Sequence, residues 1–465
     1  MSLICKESYE KTIDNFDQSL AVDINFDILK KEFVVGDSKG VFYYINGMCD
    51  VEVVEKIQEY ILKCNYILPD TAEEFDKLYL PYLETDISSD ENKILTNILS
   101  GVICFYVEKY SFAFLIDTRR YPSRNVSEPE KYRVLRGSRD GFVETLTENT
   151  ALIRRRIRST DYRCEIIQVG DISKTDVAIC YMDNIADKKL LSSIRQRIKD
   201  IKTDALTLSQ ESLSECLHQG SFLNPFPKFR YSERPDTAAS EIIEGYIVIL
   251  VDTSPAAMIL PTTIFDVIEE ADDYYFPPVT GTYLRLSRLV ITLLSLILTP
   301  LYLLFANNPS LIPSDLMFLK IDNEPFVPII LQLLSLELCV DGLKLAAVNT
   351  PSMLNTPLSI IAAIVIGEFA IETGWFISQT MLYMAVVAIA NFTHENYEFA
   401  YAIKYCRIII LILTQFFALY GFVIGLLITV LLVAFNKTLS NTSYIYPLYP
   451  FDKHKILTRF IRLKK

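Results

Sequence analysis

The sequence predicts an α/β amino-terminal soluble region of two related subdomains, followed by an all-α, multi-pass membrane domain. Three observations lead to this fold class. Residues 1–285 mix charged and apolar side chains as a soluble domain does, whereas long apolar runs dominate from Leu289 onward. Several runs of that length cannot all be buried in one soluble core. The amino-terminal half also repeats one pattern of strands and helices.

The first twenty residues have neither a basic start nor an apolar core, so we expect no secretory signal and a cytoplasmic amino-terminal half. Nine scattered cysteines without a C-x-x-C pair indicate reduced thiols rather than a disulfide framework. The three histidines lack metal-ligand spacing, and no cofactor is expected. A formal net charge of −12 gives no support for a nucleic-acid partner.

The internal repeat joins a Val-Gly-Asp turn, a strand-like run and a helix-like stretch. The turns are residues 35–37 and 169–171. Each copy then ends in a β-hairpin pattern that begins after a glycine, Gly101 or Gly245. We interpret the copies as two related α/β subdomains. The alternative is coincidence, because strand–helix–hairpin patterns are common and fix topology loosely.

These patterns give the predicted domain organisation. The domains are a first α/β subdomain at 30–120, a linker with a basic helix at 121–160, a second subdomain at 161–280, a membrane domain at 285–440 and a basic cytoplasmic tail at 441–465.

Four arginines crowd the end of the predicted linker helix, namely Arg154, Arg155, Arg156 and Arg158. Cations are favourable there because they complement the helix dipole. One hypothesis is that they bind an anionic partner, either lipid head groups or an acidic neighbouring subunit. The alternative, which we favour, is a solvated helix end that pairs with acids of its own domain.

The membrane half contains five apolar stretches, at 289–305, 326–348, 358–376, 381–392 and 408–435. A spanning helix needs about 20 apolar residues, so the first and third qualify with their flanks, whereas the fourth is short. The fifth is interrupted by Gly421 and Gly425. It is either one long tilted helix or a tight pair of short helices.

Basic residues beside these stretches constrain the topology. Arg285 and Arg288 precede the first stretch, Lys404 and Arg407 precede the fifth, and more cations follow Asp452. The positive-inside rule places all of them on the cytoplasmic side. Five simple crossings cannot satisfy that requirement. Either the second or fourth stretch fails to cross, or the fifth crosses twice.

Acidic residues occur within two of the apolar stretches. Glu337, Asp341 and Lys344 have i, i+4, i+7 spacing in the second, and Glu368 and Glu372 have i, i+4 spacing in the third. Charges at membrane depth are costly and usually face a bundle interior or water. Two acidic helix faces could therefore line a cation pathway. Alternatively, Asp341 and Lys344 neutralise each other and only fix the packing.

The chain lacks the motifs of the main enzyme classes. It has no phosphate-binding loop, dinucleotide turn, zinc-protease motif or nucleophile elbow. Acid pairs at 269–270 and 272–273 are interpreted as a solvated segment approaching the membrane rather than a catalytic dyad. With no nucleophile and base in a recognisable arrangement, we expect no enzymatic activity.

Several segments resemble a known family. Residues 136–144, RGSRDGFVE, are similar to the signature of the spore germinant-receptor A subunits, the GerA family. Their order of small, basic and acidic residues is not imposed by helix periodicity. The segments 149–158, 174–177, 272–275 and 312–316 continue the resemblance, which covers the chain from about residue 35 to its end.

The resemblance implies a protein of the spore inner membrane, with its soluble half on the cytoplasmic core side, that assembles as an oligomer. It implies a role in the release of ions, and then of dipicolinic acid, during germination. It implies no enzymatic activity, and it associates direct nutrient recognition with a companion transporter-like subunit.

Two functional hypotheses follow. In the first, the chain forms or helps form an oligomeric ion-conducting channel, with Glu337 and Asp341 lining the pathway and Glu368 and Glu372 behind them. In the second, it is a non-conducting scaffold or signalling subunit that assembles other germination proteins. Expected partners are further copies of the chain, other germination membrane proteins and membrane lipid. A secondary transporter is disfavoured because the membrane half shows no duplicated halves.

Overall fold

The structure is a computed structural model. It describes residues 8–63, 68–80, 84–122, 138–217, 224–270, 272–320, 325–351, 354, 356, 360, 362–440 and 442–461. The chain divides into two compact units, Met1–Gln219 with Phe229–Pro261, and Gly220–Lys228 with Thr262–Lys465. We call them the amino-terminal unit and the helical unit.

The amino-terminal unit contains two five-stranded antiparallel sheets. The strands of the first are β1 (Ile28–Val35), β2 (Ser38–Ile45), β3 (Thr85–Ser88), β4 (Ile103–Val107) and β5 (Ala113–Ile116). Those of the second are β6 (Tyr162–Val169), β7 (Thr175–Met182), β8 (Arg230–Ser232), β9 (Ile247–Val251) and β10 (Ala257–Leu260). The strand orders are β1-β2-β4-β5-β3 and β6-β7-β9-β10-β8. The two sheets therefore have the same topology, in agreement with the repeated sequence pattern.

The repeated glycines have a conformational reason. Gly101 and Gly245 lie two residues before the start of the central strands β4 and β9, with φ angles of 90° and 97°. A side chain would be strained at these angles, whereas glycine adopts them readily. Each glycine thus lets the chain turn from a helix end into the middle of its sheet.

Helices cover the sheets. They are Tyr9–Leu20, Val51–Leu62, Ala72–Tyr79, Glu91–Leu99, Leu146–Arg154, Lys188–Lys199, Gln210–Leu217 and Pro235–Ile243. Several begin at an aspartate whose carboxylate accepts hydrogen bonds from the first turn, as Asp50, Asp90 and Asp187 do. In the first sheet, Tyr43 belongs to one buried cluster and Phe42 to another. Because neighbouring residues point to opposite faces, this sheet is buried on both sides.

The helical unit contains Ile264–Ile268, Asp272–Tyr275, Pro278–Asn307, Ile329–Asn349, the π-helical Ala363–Phe369, Ala370–Glu372, Ser378–Phe392, Tyr397–Ala434 and Lys453–Phe460, with 3-10 turns at Pro309–Leu311 and Ser314–Leu319. By length and composition, two of the described helices are long and apolar enough to cross a membrane: Pro278–Asn307 and Tyr397–Ala434.

The Tyr397–Ala434 helix reverses direction near its middle. Ala418 has non-helical backbone angles, φ 46° and ψ −127°. A Cβ on Gly425 would lie 2.9 Å from the Cα of Ile410, fifteen residues earlier. In a straight helix those residues would be about 22 Å apart. Of the two alternatives for the fifth apolar stretch, the structure therefore adopts the tight pair, a hairpin of two helices.

Polar contacts fix the directions of the helices around this hairpin. The guanidinium of Arg407 donates to the Ser295 carbonyl at 2.8 Å, and the Asn307 amide donates to Gln415 at 3.0 Å. Residue numbers increase in the same direction on both helices, from 295 to 307 and from 407 to 415. The first arm of the hairpin therefore runs parallel to Pro278–Asn307. The second arm returns, and Tyr444 then accepts a hydrogen bond from the Ile264 amide at 3.0 Å. The segments before the first long helix and after the hairpin thus meet at one end of the helical unit, which is compatible with basic residues on a single side.

Gly421 is expected to be essential for this hairpin. A Cβ there would overlap the backbone carbonyl of Leu413, which cannot move independently of its helix. We expect Gly421→Ala to lower stability by about 1–3 kcal/mol, measured as a lower melting temperature of the detergent-solubilised protein. Gly342→Ala is the matched control, because a Cβ at this helical position meets nothing within 4 Å. Equal melting temperatures for the two variants would contradict the close hairpin.

Candidate functional site

A buried ion pair joins two helices inside the helical unit. Glu337 lies on Ile329–Asn349 and is 2% exposed, and Arg407 lies on the first arm of the hairpin and is fully buried. The guanidinium Nε donates to the Glu337 Oε1 at 2.6 Å. A charge at this depth is tolerated when it is paired and hydrogen-bonded. The pair therefore fastens the two helices through their charged groups.

A second ion pair lies one turn away. The Lys404 ammonium contacts the Asp341 carboxylate, and it also donates to the Glu337 backbone carbonyl at 3.2 Å. Its Nζ lies 3.6 Å from the Glu337 Oε2. We call Glu337, Asp341, Lys404 and Arg407 the buried tetrad, of which Asp341, at 24% side-chain exposure, is the one partly exposed member. Its two acids and two cations give no net charge, and their i, i+4 and i, i+3 spacings bring one face of each helix into register.

Lys344 lies beside aromatic rings rather than in an ion pair with Asp341. Its ammonium lies 4.8 Å from the ring centroid of Phe392 and 5.6 Å from that of Tyr401, at cation–π distance. Asp341 makes its ion pair with Lys404 instead. The hypothesis that Asp341 and Lys344 form the neutralising pair is therefore wrong.

Sequence reasoning did not identify Lys404 and Arg407 as site residues. Both were counted as cytoplasmic flanking charges, but they are buried and neutralised by Glu337 and Asp341. A usable signal was present, because two cations one helical turn apart directly precede an apolar run, and the two acids are also about one turn apart.

The other two predicted acids are placed differently. Glu368 belongs to Ala363–Phe369 and Glu372 to Ala370–Glu372, and both side chains are exposed. Neither forms an ion pair with any residue that the structure describes. Their exposed neighbours Ile364, Val365 and Phe369 are apolar. The four predicted acids thus separate into a paired set, buried Glu337 and partly exposed Asp341, and an exposed set without an ion pair among the described residues.

A second group of buried charges surrounds the start of the Pro278–Asn307 helix. Arg285 contacts the carboxylate of Glu269, and Arg288 contacts that of Asp273, which is fully buried. The Arg288 Nε also lies 3.3 Å from Glu270. For Glu269 and Asp273 the prediction of a solvated segment is therefore wrong, because both carboxylates are buried and paired with arginines.

Arg459 extends this group to the end of the chain. Its guanidinium lies 2.5 Å from both Asp266 and Glu269. We call Asp266, Glu269, Asp273, Arg285, Arg288 and Arg459 the basal cluster. It holds the Lys453–Phe460 helix against the beginning of the first long apolar helix.

The arginines of the linker segment are largely engaged within the amino-terminal unit. Arg154 is fully buried and donates to both oxygens of Asp27, at 2.9 and 2.8 Å. Its guanidinium also lies 4.3 Å from the ring centroid of Tyr162. The Arg155 guanidinium stacks 4.4 Å from the ring centroid of Tyr121. The side chains of Arg155 and Arg158 are exposed.

The signature segment contributes a partner to this group. Arg156 lies 2.5 Å from Asp140 and donates to the Ser138 hydroxyl at 3.1 Å. Burial raises the pKa of the Asp140 carboxyl, but the hydrogen bonds from Arg156 and Ser138 outweigh burial, and the net pKa is below its ordinary value. These pairs match the expectation that the arginines meet acids of their own domain. Residues 136 and 137 of the signature lie outside the described residues.

Together, the two-sheet unit and the helical unit with long apolar helices and buried ion pairs define a membrane-associated protein without an assembled catalytic group among the described residues. A profile of the family described as Bacillus/Clostridium GerA spore germination protein matches residues 14–465. The chain belongs to this family.

Individual relatives are similar over nearly the whole chain. Stage V sporulation protein AF of Bacillus subtilis is 36% identical over 98% of this chain and 92% of its own length. Spore germination protein GerQA of Bacillus cereus is 28% identical over 91% of this chain and 85% of its own length. Spore germination protein KA of Bacillus subtilis is 24% identical over 94% of this chain and 81% of its own length. Within the family, the carboxy-terminal segments 382–392, 397–402 and 446–451 predict a similarity to stage V sporulation protein AF, and the match to that protein confirms it.

One solved structure also aligns with part of the chain. It is the N-terminal domain of the A subunit of the Bacillus megaterium spore germinant receptor GerK3, 23% identical, with a TM-score of 0.42. The alignment covers 55% of this chain and 94% of that domain.

Proposed function

We propose that this chain is a membrane subunit in spore germination that forms, or helps to form, an oligomeric ion-conducting channel. We place it in the spore inner membrane, with its amino-terminal unit on the cytoplasmic core side. Germination is in the names of several relatives and of the family. The family membership supports the process, and the charges of the helical unit support the mechanism.

The observation that carries the proposal is the exposure of Glu368 and Glu372. Both carboxylates lie on one helical face among exposed apolar side chains. A charge facing hydrocarbon costs about 2.5–3.5 kcal/mol on insertion scales, and more in simulations of isolated helices. Within a bilayer, water or a neighbouring subunit would have to cover these groups. A ring of identical subunits would supply both a neighbouring subunit and water, because it would place the acids around a shared aqueous axis.

The buried tetrad would then act as the closed part of the pathway. While Lys404 and Arg407 neutralise Asp341 and Glu337, these acids offer no free negative charge to a passing cation. A small displacement of the hairpin would separate the pairs and expose the acids. This division of roles keeps all four predicted acids in the pathway, with Glu368 and Glu372 accessible first.

A second candidate function is a non-conducting scaffold or signalling subunit that gathers other germination proteins. The pairing within the tetrad favours it, because neutralised charges can serve packing alone. In that case the exposed face of Glu368 and Glu372 would contact another protein rather than an ion.

Planar-bilayer conductance distinguishes the two functions. For Glu368→Gln/Glu372→Gln, we expect the purified oligomer to insert normally and its cation current to fall by about tenfold or more, because the acids no longer concentrate cations. The matched control is Glu55→Gln/Glu59→Gln, which removes two exposed acids with the same i, i+4 spacing from the amino-terminal unit. Its current is expected to equal that of the wild type.

Two results would count against the channel proposal in different ways. Absence of current from well-folded, oligomeric wild-type protein would favour the scaffold. An unchanged current in the Glu368/Glu372 variant would remove these acids from the pathway.

A further inference from the structure

The carboxy-terminal segment, residues 446–461, is fixed to the helical unit along one side. The Arg459 guanidinium binds Asp266 and Glu269 at 2.5 Å, and Arg285 donates to the Arg459 carbonyl at 3.3 Å. The ring of Phe460 packs edge-on against Phe265 with centroids 5.8 Å apart. The segment is therefore a docked element rather than a free tail.

Several large apolar side chains of this segment are nevertheless exposed. Leu457, within the Lys453–Phe460 helix, and Ile461, just after its end, are 46% and 43% exposed. Just before the helix, Tyr449 and Phe451 are 70% and 74% exposed. These four large side chains, exposed within thirteen residues, make up an apolar patch of a kind that marks a binding surface.

The position of the segment indicates what covers that patch. Arg459 shares Glu269 with Arg285, and the apolar run of the first long helix begins at Leu289, one turn beyond Arg285. The patch is thus anchored at the level where that helix becomes apolar. Tyrosine and other aromatic residues concentrate at this level in membrane proteins, where one end of the side chain is wet and the other dry.

The charge of the segment matches an anionic surface. Lys453 and Lys455 are exposed, and the nearby Asp452 carboxylate accepts the Lys455 backbone N–H at 3.1 Å as the cap of its own helix. Lysines beside exposed apolar side chains are the usual composition of helices that lie in a bilayer interface.

We propose that the carboxy-terminal segment is an interfacial anchor that docks on a bilayer surface bearing anionic head groups. Tyr449, Phe451 and Leu457 enter the boundary between head groups and acyl chains, and Lys453 and Lys455 lie beside the head-group phosphates. The lipid contact is thereby assigned to this segment, whereas Arg154 is buried within the amino-terminal unit. The proposal does not depend on ion conduction.

Hydrogen–deuterium exchange of the full-length protein in lipid nanodiscs tests it. One set of discs contains phosphatidylcholine alone, and the other contains equal parts of phosphatidylcholine and phosphatidylglycerol. We expect the backbone amides of residues 453–461 to exchange about 10–30-fold more slowly in the anionic discs, because two lysines near an anionic surface contribute attraction of that size. The difference should diminish at high salt.

Charge reversal provides the variant and its control. Lys453→Glu/Lys455→Glu is expected to abolish the lipid-dependent difference, and Lys199→Glu/Lys202→Glu, two exposed lysines of the amino-terminal unit, is expected to retain it. The milder Lys453→Gln/Lys455→Gln serves if the reversed variant does not fold. Equal exchange in the two kinds of disc overturns the proposal. So does protection that depends on two copies per disc rather than on lipid charge, since the patch would then be a contact between chains.

Discussion

Glu337→Gln is expected to destabilise the helical unit by about 3–5 kcal/mol, the usual cost of removing one partner of a buried ion pair. The substitution leaves the fully buried Arg407 guanidinium opposite a neutral amide, and it also removes an acid 3.6 Å from the Lys404 ammonium. The measurement is thermal unfolding in detergent, followed with a thiol-reactive dye that reports the exposure of buried cysteines such as Cys406.

Glu368→Gln is the matched control for this experiment. It makes the same chemical change at an exposed position without an ion pair among the described residues, so its melting temperature should equal that of the wild type within error. The double variant Glu337→Leu/Arg407→Met should recover most of the loss, because it removes both charges and retains apolar volume. A double variant as unstable as the single one would show that the pair is not the cause.

This stability effect changes how conduction experiments on the tetrad should be designed. A loss of current in Glu337→Gln/Asp341→Asn could follow from misfolding as well as from a missing pathway charge. Exchanging the charges of the other pair, in Asp341→Lys/Lys404→Asp, keeps the site neutral. If stability returns and current does not, the acids act on ions. If both return, the pair is structural.

Arg154→Ala is expected to destabilise the amino-terminal unit by about 3–5 kcal/mol. Asp27 is 1% exposed and would lose both hydrogen bonds from the guanidinium, so its charge would be left buried without the bidentate partner. The substitution would also remove the cation stacked on Tyr162. Unfolding in urea can be followed by the labelling rate of Cys164, which is buried in the second sheet beside this pair.

Arg155→Ala controls for the loss of a neighbouring arginine. Its side chain is exposed and stacks on Tyr121, so a change below about 1 kcal/mol is expected. Similar losses in the two variants would mean that the crowded basic end of the helix matters as a whole. A loss of stability confined to Arg154→Ala would show that the ion pair between Arg154 and Asp27 is its cause.

Much of the amino-terminal unit could be predicted from the sequence because its signals are local. The strands alternate their side chains between two faces, and the positive φ angles before β4 and β9 require glycine at Gly101 and Gly245. These features occur twice at matching positions, so the repeated sheet topology follows from the pattern. The family resemblance depended on the same kind of local order, in a segment where Asp140 pairs with Arg156.

The reversal of chain direction at Ala418 could not be predicted from the sequence alone. The apolar run at 408–435 is long enough for one tilted helix, and glycine within such a run is compatible with either alternative. The hairpin depends on the close approach of Gly425 to Ile410. That approach is a contact between residues fifteen positions apart, and a hydropathy pattern carries no information about such contacts.

By itself, the sequence determined that this protein has a two-part chain, a repeated α/β half, a set of apolar helices and acids inside those helices that need compensation. The tertiary structure decided which group compensates each acid. Asp341 has a lysine three residues away, but its partner is Lys404, which lies sixty-three residues further along the chain. Glu269 and Asp273 are likewise buried and paired with arginines of the following helix rather than solvated. The physical reason is that a buried charge must be neutralised by whichever opposite charge the packing of helices brings within reach, and spacing along one helix does not specify the neighbouring helix.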